Sequence, residues 1–127
     1  MVLKMLVYAR TSFVAFHQWK DAPDKHKYLG NVHRHEFKVE VGVRVKLVNR
    51  EVEFHELRTK VDETIGILYD QNIRGGQYCP IQESCEMIAQ RIAAALSNSE
   101  GNWNQNYSVA YVDVSEDGEC GGRVSYE

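Results

Sequence analysis

Apolar and polar side chains alternate without a break between residues 37 and 47. The apolar positions are Phe37, Val39, Val41, Val43, Val45 and Leu47, and charged residues or glycine stand between them. Successive side chains of an extended chain point to opposite faces, so this period of two predicts a long, half-buried β-strand. Residues 2–16 combine β-branched, aromatic and small side chains and predict an earlier strand, which ends at His17.

The period of the pattern changes after residue 53. Apolar side chains then recur every three or four positions, which places them on one face of a helix; they are Phe54, Leu57, Val61, Ile65 and Leu68. A loop at residues 74–76 ends this helix. A second stripe predicts another helix and consists of Ile81, Cys85, Ile88, Ile92 and Leu96. We expect this helix to begin at Pro80, because proline fits the first helical turn.

The last third of the chain predicts two more strands. Residues 97–106 are polar and predict a loop, and residues 107–114 and 123–126 predict strands on either side of a turn at 118–122. The element order is therefore β-β-α-α-β-β. We expect an α+β fold in one domain over residues 1–127, with a four-stranded antiparallel sheet covered on one face by two helices. The unprotected edges of such a sheet favour a homo-oligomer.

Composition and charge exclude several classes of protein. The chain has 127 residues, a formal net charge of −3 and three cysteines, none of them at a C-x2-C spacing. This balance excludes a dedicated electrostatic nucleic-acid binder. A mean hydropathy of −0.46 and the lack of a long apolar run exclude a membrane span. The odd number of cysteines favours reduced thiols and a cytoplasmic location.

Histidines are concentrated near the amino terminus. Four of the five, His17, His26, His33 and His35, lie between residues 17 and 35. His33 and His35 are two positions apart and share a face of the second strand, while His17 ends the first strand. Three neutral imidazoles can bind Zn²⁺ and leave a fourth position open, the arrangement of a catalytic zinc site. Solvated loop histidines are the alternative that spacing alone leaves open.

Six short motifs, in the right order, resemble one known family. In this chain they read F-V-A-F-H at residues 13–17, V-H-R-H-E-F at 32–37, V-E-F-H-E-L at 52–57, Y-D-Q-N at 69–72, C-P-I-Q-E at 79–83 and V-D-V-S-E at 112–116. The corresponding family patterns are F-x-A-x-H, L-H-G-H-x-Y, V-x-D-F-x-D-L, L-D-H-x-x-L-N, N-P-T-x-E and V-x-V-x-E-T. The chain resembles the 6-pyruvoyl-tetrahydropterin synthases and the 6-carboxy-tetrahydropterin synthases of the queuosine pathway. This resemblance covers nearly the whole chain and implies the tunnelling fold, which has the element order predicted above.

The resemblance also implies a reaction and its residues. His17, His33 and His35 would bind zinc, Glu116 would accept two N–H bonds from the amino-pyrimidinone edge of a pterin, and Glu83 would support the same pocket. The implied substrate is 7,8-dihydroneopterin triphosphate. Zinc would polarise its oxygens while acid–base residues move protons. The family assembles as trimers stacked into hexamers, which agrees with the homo-oligomer expected from the sheet edges.

Departures from the family concern the acid–base residues. Neither the family's cysteine nor a replacement glutamate is present in residues 25–31, and the family's Asp-His pair is Asp70 followed by Gln71. Asp70 therefore remains as a catalytic candidate, together with His26 and Cys79 as replacements for the missing base. His26 has the alternative of being a solvated loop residue. The other two cysteines are interpreted as a core residue, Cys85, and an exposed turn residue, Cys120.

Two hypotheses follow from these matches and departures. The first is a zinc-dependent enzyme that processes dihydroneopterin triphosphate or a related pterin with a rearranged acid–base set. The second is a zinc-containing homologue that binds a pterin or purine without the parent lyase activity. The complete histidine triad and Glu116 favour the enzyme, whereas the missing cysteine and histidine favour the binding protein. Lys20, Lys25, Lys27 and Arg34 could contact a triphosphate or form a solvated basic loop.

Overall fold

The computed structural model describes residues 3–45, 52–98 and 108–127. Its main elements are β1 (Leu6–His17), β2 (His33–Arg44), α1 (Phe54–Gly75), α2 (Cys85–Ser97), β3 (Ser108–Glu116) and β4 (Cys120–Ser125), with short 3₁₀ helices at Asp24–Gly30 and Gly76–Tyr78. The strands form one sheet in the order β1-β2-β3-β4, and every neighbouring pair is antiparallel. The predicted α+β class and element order are confirmed.

A single apolar core lies between the sheet and the helices. The alternating residues of β2 provide its centre, since Phe37, Val39, Val41 and Val43 are at most 1% exposed. Helix α1 packs mainly against β1, and α2 packs against β3 and β4. Burial of each aliphatic side chain in this core contributes about 1.5–3 kcal/mol. The two helices cover one face of the sheet, as predicted.

The pairing of β1 with β2 brings the two ends that carry histidines together. Phe13 lies opposite Phe37, and His17 lies directly opposite His33. His35 shares the face of His33 because it is two residues further along β2. Strand β3 continues this arrangement, since Glu116 lies opposite Phe37 on the other side of β2. The inner face of the sheet therefore changes from apolar to polar side chains at one end.

The second helix begins five residues later than its apolar stripe predicts. The prediction of a start at Pro80 is wrong, because α2 begins at Cys85 and Ser84 is its N-cap, accepting a hydrogen bond from the Met87 N–H. The preceding segment pairs with the end of β1 through a parallel bridge between Ile81 and His17. The Ile81 N–H donates to the carbonyl of Phe16, so its backbone is committed to the sheet.

The strand boundaries also differ from the prediction. β1 begins at Leu6, β2 begins at His33 and ends at Arg44, and β4 covers Cys120–Ser125. β4 begins early because a short turn separates it from β3, with positive φ angles at Asp117 and Gly118. Leu47, Tyr107 and most of the predicted loop at 97–106 lie outside the described residues. Among the helices described, none is both long and apolar enough to cross a bilayer.

Candidate metal centre and adjoining cavity

Three histidines converge where β1 and β2 meet. One potential ligand atom from each of His17, His33 and His35 lies within 4.8 Å of the others. The ring centroids of His33 and His35 are 4.7 Å apart, and those of His17 and His33 are 5.4 Å apart. His17 is buried, whereas the other two are half-buried. The structure therefore brings together the three residues that the sequence predicts as metal ligands.

Each of these imidazoles has one nitrogen against an oxygen acceptor. His17 Nε2 is 2.7 Å from the carbonyl oxygen of Glu83, and His33 Nδ1 is 2.7 Å from that of Asn31. His35 Nδ1 is 2.6 Å from Oδ2 of Asp117. Carbonyl and carboxylate oxygens only accept, so each of these ring nitrogens carries its hydrogen. In the neutral rings, the other nitrogens keep their lone pairs, which is the form that binds a metal ion.

The free nitrogen of His17 is the least satisfied polar atom of the site. His17 is 8% exposed, and its Nδ1 is buried with no hydrogen-bond partner among the described residues. Burial lowers the pKa of His17, although the Glu83 carbonyl and the Glu116 charge act in the opposite direction. A buried polar atom without a partner costs about 1–3 kcal/mol. A metal ion bound by the three imidazoles would satisfy it, so these residues fit such an ion.

The carboxylate of Glu116 faces the same nitrogens. Its Oε1 is 3.5 Å from Nδ1 of His17, and its Oε2 is 3.4 Å from Nε2 of His35. An ionised carboxylate has no hydrogen to donate, and these imidazole nitrogens have none to offer while the rings are neutral. Because the Glu116 oxygens and the imidazole nitrogens are then all acceptors, a cation between them would interact favourably with both. Three imidazoles and one carboxylate therefore form an electrostatic site for a cation.

A cavity of about 570 Å³ opens beside the histidines. Its volume lies in the range of about 300–1,000 Å³ that is usual for small-molecule sites. Its walls come from the loop after β1, the start of α2 and the β3–β4 hairpin, through His17, Trp19, Leu29, His33, Gln82, Ser84, Cys85, Glu86, Met87, Glu116, Cys120 and Gly121. Apolar and aromatic side chains thus adjoin carboxylates and imidazoles, a combination that suits a flat, polar-edged ligand.

Glu83 supports the site through its backbone. Its carbonyl oxygen is the partner of His17 Nε2, but its carboxylate accepts from Arg91 Nη1 at 3.0 Å. Burial and the charge of Glu83 raise the pKa of Tyr69 to about 12, despite the opposing effect of Arg91. Glu83 is not among the described residues that line the cavity. Its predicted contact with substrate is left as a prediction, whereas its contact with His17 is direct.

The three predicted acid–base residues lie elsewhere on the surface. Asp70 lies on α1 and forms an ion pair with Arg74 one turn later, whose Nε donates to its carboxylate at 2.8 Å. His26 is exposed in the first 3₁₀ helix, and its ring stacks on Trp19 with centroids 6.3 Å apart. Cys79 follows the second 3₁₀ helix and is not at the start of α2. The helix-terminus argument for a reactive Cys79 is therefore wrong, and none of the three lines the described cavity.

Two residues that line or support the site have no predicted role there. Cys120 is exposed, as predicted, but it lines the cavity and lies opposite Glu116 across the β3–β4 hairpin. Asp117 binds His35 from the turn of the same hairpin. Their place at the site depends on the register of this hairpin, because a turn at residues 117–119 pairs Glu116 with Cys120. The predicted turn at 118–122 includes Cys120, so the sequence pattern did not pair this residue with Glu116.

Comparisons with known proteins agree with the fold and the motifs. The structure is similar to that of an uncharacterized protein from Wolinella succinogenes, with a TM-score of 0.71 and 15% identity over 99% of this chain and 100% of the other. It is also similar to 6-pyruvoyl tetrahydropterin synthase from Caenorhabditis elegans, with a TM-score of 0.62 and 13% identity over 98% of this chain and 97% of that one. A search of curated proteins gave no match.

The family assignment comes from the sequence itself. The structural similarities, at these low identities, confirm the tunnelling fold that the motifs imply. The model of the 6-pyruvoyl tetrahydropterin synthase family matches residues 6–127, which includes all six motifs and every residue of the histidine site. This chain therefore belongs to the 6-pyruvoyl tetrahydropterin synthase family.

Proposed function

We propose that this protein is a zinc-dependent enzyme that processes 7,8-dihydroneopterin triphosphate or a related pterin, with acid–base residues that differ from the family pattern. The observation that carries the proposal is the convergence of three imidazoles, with one nitrogen of each within 4.8 Å of the others, beside a cavity of about 570 Å³. Imidazoles are preferred zinc ligands, and a three-histidine set leaves a position open for substrate. Family membership supports the pterin as the class of substrate.

His17, His33 and His35 would hold the zinc ion. Zinc bound there would supply a Lewis acid that polarises hydroxyl and carbonyl oxygens of the substrate. The chain's own contribution is to present three imidazole rings whose outer nitrogens are fixed by Glu83, Asn31 and Asp117. These hydrogen bonds keep the rings from rotating and from turning their N–H groups towards the ion.

Glu116 is the proposed anchor for the pterin ring. It lines the cavity with its side chain 32% exposed, and besides facing His17 and His35 its carboxylate would accept two parallel N–H bonds from an amino-pyrimidinone edge through its remaining lone pairs. Trp19, Leu29 and Met87 line the same cavity and offer apolar surface to the faces of a flat ring. This arrangement would hold the pterin with its side chain close to the histidines.

Proton transfer requires a base that reaches the cavity. Burial raises the pKa of Cys85 to about 12, and the charges of Glu116 and Glu86 act in the same direction, so this thiol stays protonated. Cys120 is exposed and lines the cavity. We therefore assign the role of the missing family cysteine to Cys120, ahead of the predicted Asp70, His26 and Cys79. A thiolate at Cys120 would accept a proton from the substrate's side chain.

The loop after β1 offers a place for the triphosphate. A second cavity of about 600 Å³ on this loop is lined by Lys20, Lys27 and Tyr28, among others. Trp19 and Leu29, which adjoin Lys20 and Tyr28 in the sequence, line the cavity beside the histidines. A phosphate chain that extends from the pterin site would meet these ammonium groups. Tighter binding of the triphosphate than of unphosphorylated dihydroneopterin would support this contact.

The competing candidate is a homologue that holds zinc and a pterin or purine without lyase activity. It is favoured by the positions of Asp70, His26 and Cys79, which do not line the described cavity. Gln71 also stands where the family pattern has a histidine. In either case we propose a cytoplasmic, trimer-based homo-oligomer, with a hexamer as the larger form. The support for assembly is that β1 and β4 are the two edges of the sheet.

A single assay separates the two candidates. Zinc-loaded protein is incubated with 7,8-dihydroneopterin triphosphate, and the products are followed by mass spectrometry, with His33→Ala as the metal-site control. We expect release of triphosphate and a changed pterin side chain, both absent in the control. Intact substrate that nevertheless binds would favour the binding protein. A zinc-loaded protein that converts no pterin and binds neither a pterin nor a purine would contradict both candidates.

A further inference from the structure

Asp117 occupies an unusual backbone position beside the candidate metal centre. It is the first residue of the turn between β3 and β4, and its φ is 57°, the only positive φ of a non-glycine residue among those described. Aspartate and asparagine tolerate this left-handed region better than most side chains do. The turn thus places a carboxylate where the family motif E-T has a threonine, directly after Glu116.

Three hydrogen bonds tie Asp117 to the histidine strand. Its Oδ2 accepts from His35 Nδ1 at 2.6 Å, and its Oδ1 accepts from the backbone N–H of Glu36 at 2.9 Å. Its own N–H donates to the carbonyl of Glu36 at 2.8 Å. Both carboxylate oxygens are therefore engaged on β2, and the orientation of the side chain is fixed from two directions.

His35 is the histidine of the triad whose outer nitrogen is held by a charge. The corresponding partners of His17 and His33 are neutral backbone carbonyls. A carboxylate on the outer nitrogen fixes the tautomer, orients the ring and makes the opposite nitrogen a stronger electron donor. With Glu116 on the inner side, two carboxylates flank the imidazoles, which suits a divalent cation.

We propose that Asp117 is a positioning residue of the metal centre: it holds His35 as the Nδ1–H tautomer, aims Nε2 at the site and strengthens the binding of a divalent cation. The proposal rests on the metal centre of the proposed function. It assigns Asp117 no contact with the ion or with substrate. Because Asp117 acts through His35, its effect is on metal affinity.

The test is a zinc titration of the metal-free protein against a competing chelator. Asp117→Asn is the main variant, because asparagine tolerates the positive φ and keeps the size of the side chain. Asp117 uses Oδ2 for His35 and Oδ1 for Glu36, and asparagine would place an NH₂ group, which cannot accept, at one of these two positions. We expect zinc affinity to fall by about 10–100-fold, the usual effect of losing such a partner. Asp117→Gly, which has no strain at this φ, is expected to show at least the same loss.

Asp113→Asn is the matched control. It removes the same charge from the strand that precedes the Asp117 turn, but Asp113 pairs with Arg123 at 3.1 Å on the other face of the sheet. Its zinc affinity should equal that of the unaltered protein. Nitrogen NMR of the metal-free proteins provides a second readout, in which the Nδ1–H tautomer of His35 is expected to dominate until Asp117 is replaced. A purely structural role would change thermal stability and leave this tautomer unchanged.

The outcomes are distinguishable from those of the proposed function. If the unaltered protein binds no zinc, the metal centre is wrong and the role of Asp117 falls with it. If the unaltered protein binds zinc and Asp117→Asn binds it equally well, the metal centre stands and the inference is overturned. Equal losses in Asp117→Asn and Asp113→Asn would also overturn it, because they would reduce the effect to net charge.

Discussion

Two carboxylates on opposite faces of the sheet have very different surroundings. On the outer face, Glu40 accepts hydrogen bonds from Arg10 Nε and, at 2.6 Å, from the hydroxyl of Tyr111. Arg123 lies 3.9 Å away and stacks on the Tyr111 ring. Among the described residues, the side chains that contact the Glu40 carboxylate are donors or cations, so its charge is compensated within the chain.

At the inner face, Glu116 has partners of the opposite kind. Both of its oxygens lie 3.4–3.5 Å from imidazole nitrogens. In each of these rings the opposite nitrogen is the one that donates a hydrogen bond. One of the nitrogens that face Glu116, His17 Nδ1, is buried and has no hydrogen-bond partner among the described residues. The two clusters thus differ in their donors, because Glu40 accepts short hydrogen bonds whereas the contacts of Glu116 with the imidazoles are longer. The outer cluster stabilises the fold, whereas the inner one could hold a cation and is therefore the functional candidate.

The largest expected effect is the loss of metal from the inner cluster. His33→Ala removes one of three ligand nitrogens, so bound zinc is expected to fall from about one ion per subunit to nearly none. Elemental analysis after dialysis measures this content. His55→Ala is the control, because His55 is exposed at the start of α1 and lies outside the cluster. Equal zinc in the His33 variant and the unaltered protein would contradict the ligand assignment.

Removing one charge from each cluster is expected to give opposite changes in stability. In metal-free protein, Glu40→Gln loses charged hydrogen bonds and should lower the free energy of unfolding by about 1–2 kcal/mol. Glu116→Gln supplies an amide N–H to a neighbouring imidazole and should leave the free energy unchanged or raise it by up to about 1 kcal/mol.

Urea unfolding in the presence of a chelator measures both changes. Zinc should remove the advantage of Glu116→Gln, since the cation then interacts favourably with the native carboxylate. A destabilised Glu116→Gln variant in metal-free protein would break the comparison between the clusters, because it would mean that the carboxylate already has a donor.

The outer cluster should also make the free energy of unfolding depend on pH. Burial acts to raise the pKa of Glu40, but hydrogen bonds from Tyr111 and Arg10 and the charge of Arg10 outweigh it and hold this pKa below its ordinary value of 4.5. Folding therefore favours the ionised form, and the contribution is complete above about pH 4.5 and is lost as the pH falls through the lowered pKa.

The destabilisation caused by Glu40→Gln is thus expected to shrink in acid. Unfolding of the two proteins is compared at neutral pH and well below pH 4.5, again with chelator present. Tyr111→Phe removes one of the donors to Glu40. Its destabilisation should also shrink in acid, but by less than that of Glu40→Gln. A difference between Glu40→Gln and the unaltered protein that stays constant with pH would contradict the assigned network.

The inner cluster could be located from the sequence because it follows from strand period and hairpin pairing. The alternation in β2 puts His33, His35 and Phe37 on one face, and a connection between adjacent strands places the end of β1 beside them. Histidines in the register of buried valines therefore already indicated a polar site at one end of an apolar face. Glu116 came from the family motif, and the structure places it on the same face.

Long-range pairing and turn geometry account for what the sequence did not predict. Pro80 fits a helix start, but the backbone of Ile81 pairs with β1, and this contact between distant segments leaves no local signal. The contacts of Asp117 and Cys120 depend on a three-residue turn with positive φ. Its polar, glycine-rich sequence is compatible with several registers, so neither residue could be assigned to the site before the pairing was known.

The smallest expected effect compares two thiols in the wall of one cavity. Cys85 is buried and its pKa is raised to about 12, mainly by burial, whereas Cys120 is exposed. Since the thiolate is the reactive form, iodoacetamide should alkylate Cys120 in the folded protein and leave Cys85 unmodified until the protein unfolds. Peptide mass mapping identifies the modified residue, and Cys120→Ser is the control that removes the cavity signal.

Occupation of the cavity should then slow this reaction. A bound pterin is expected to reduce the alkylation rate of Cys120 while the half-buried Cys79, outside the described cavity lining, keeps its own rate. Protection of Cys120 alone would place the ligand between the hairpin and the histidines. Protection of both thiols would instead indicate a general tightening of the fold, and protection of neither would contradict the assignment of this cavity as the pterin site.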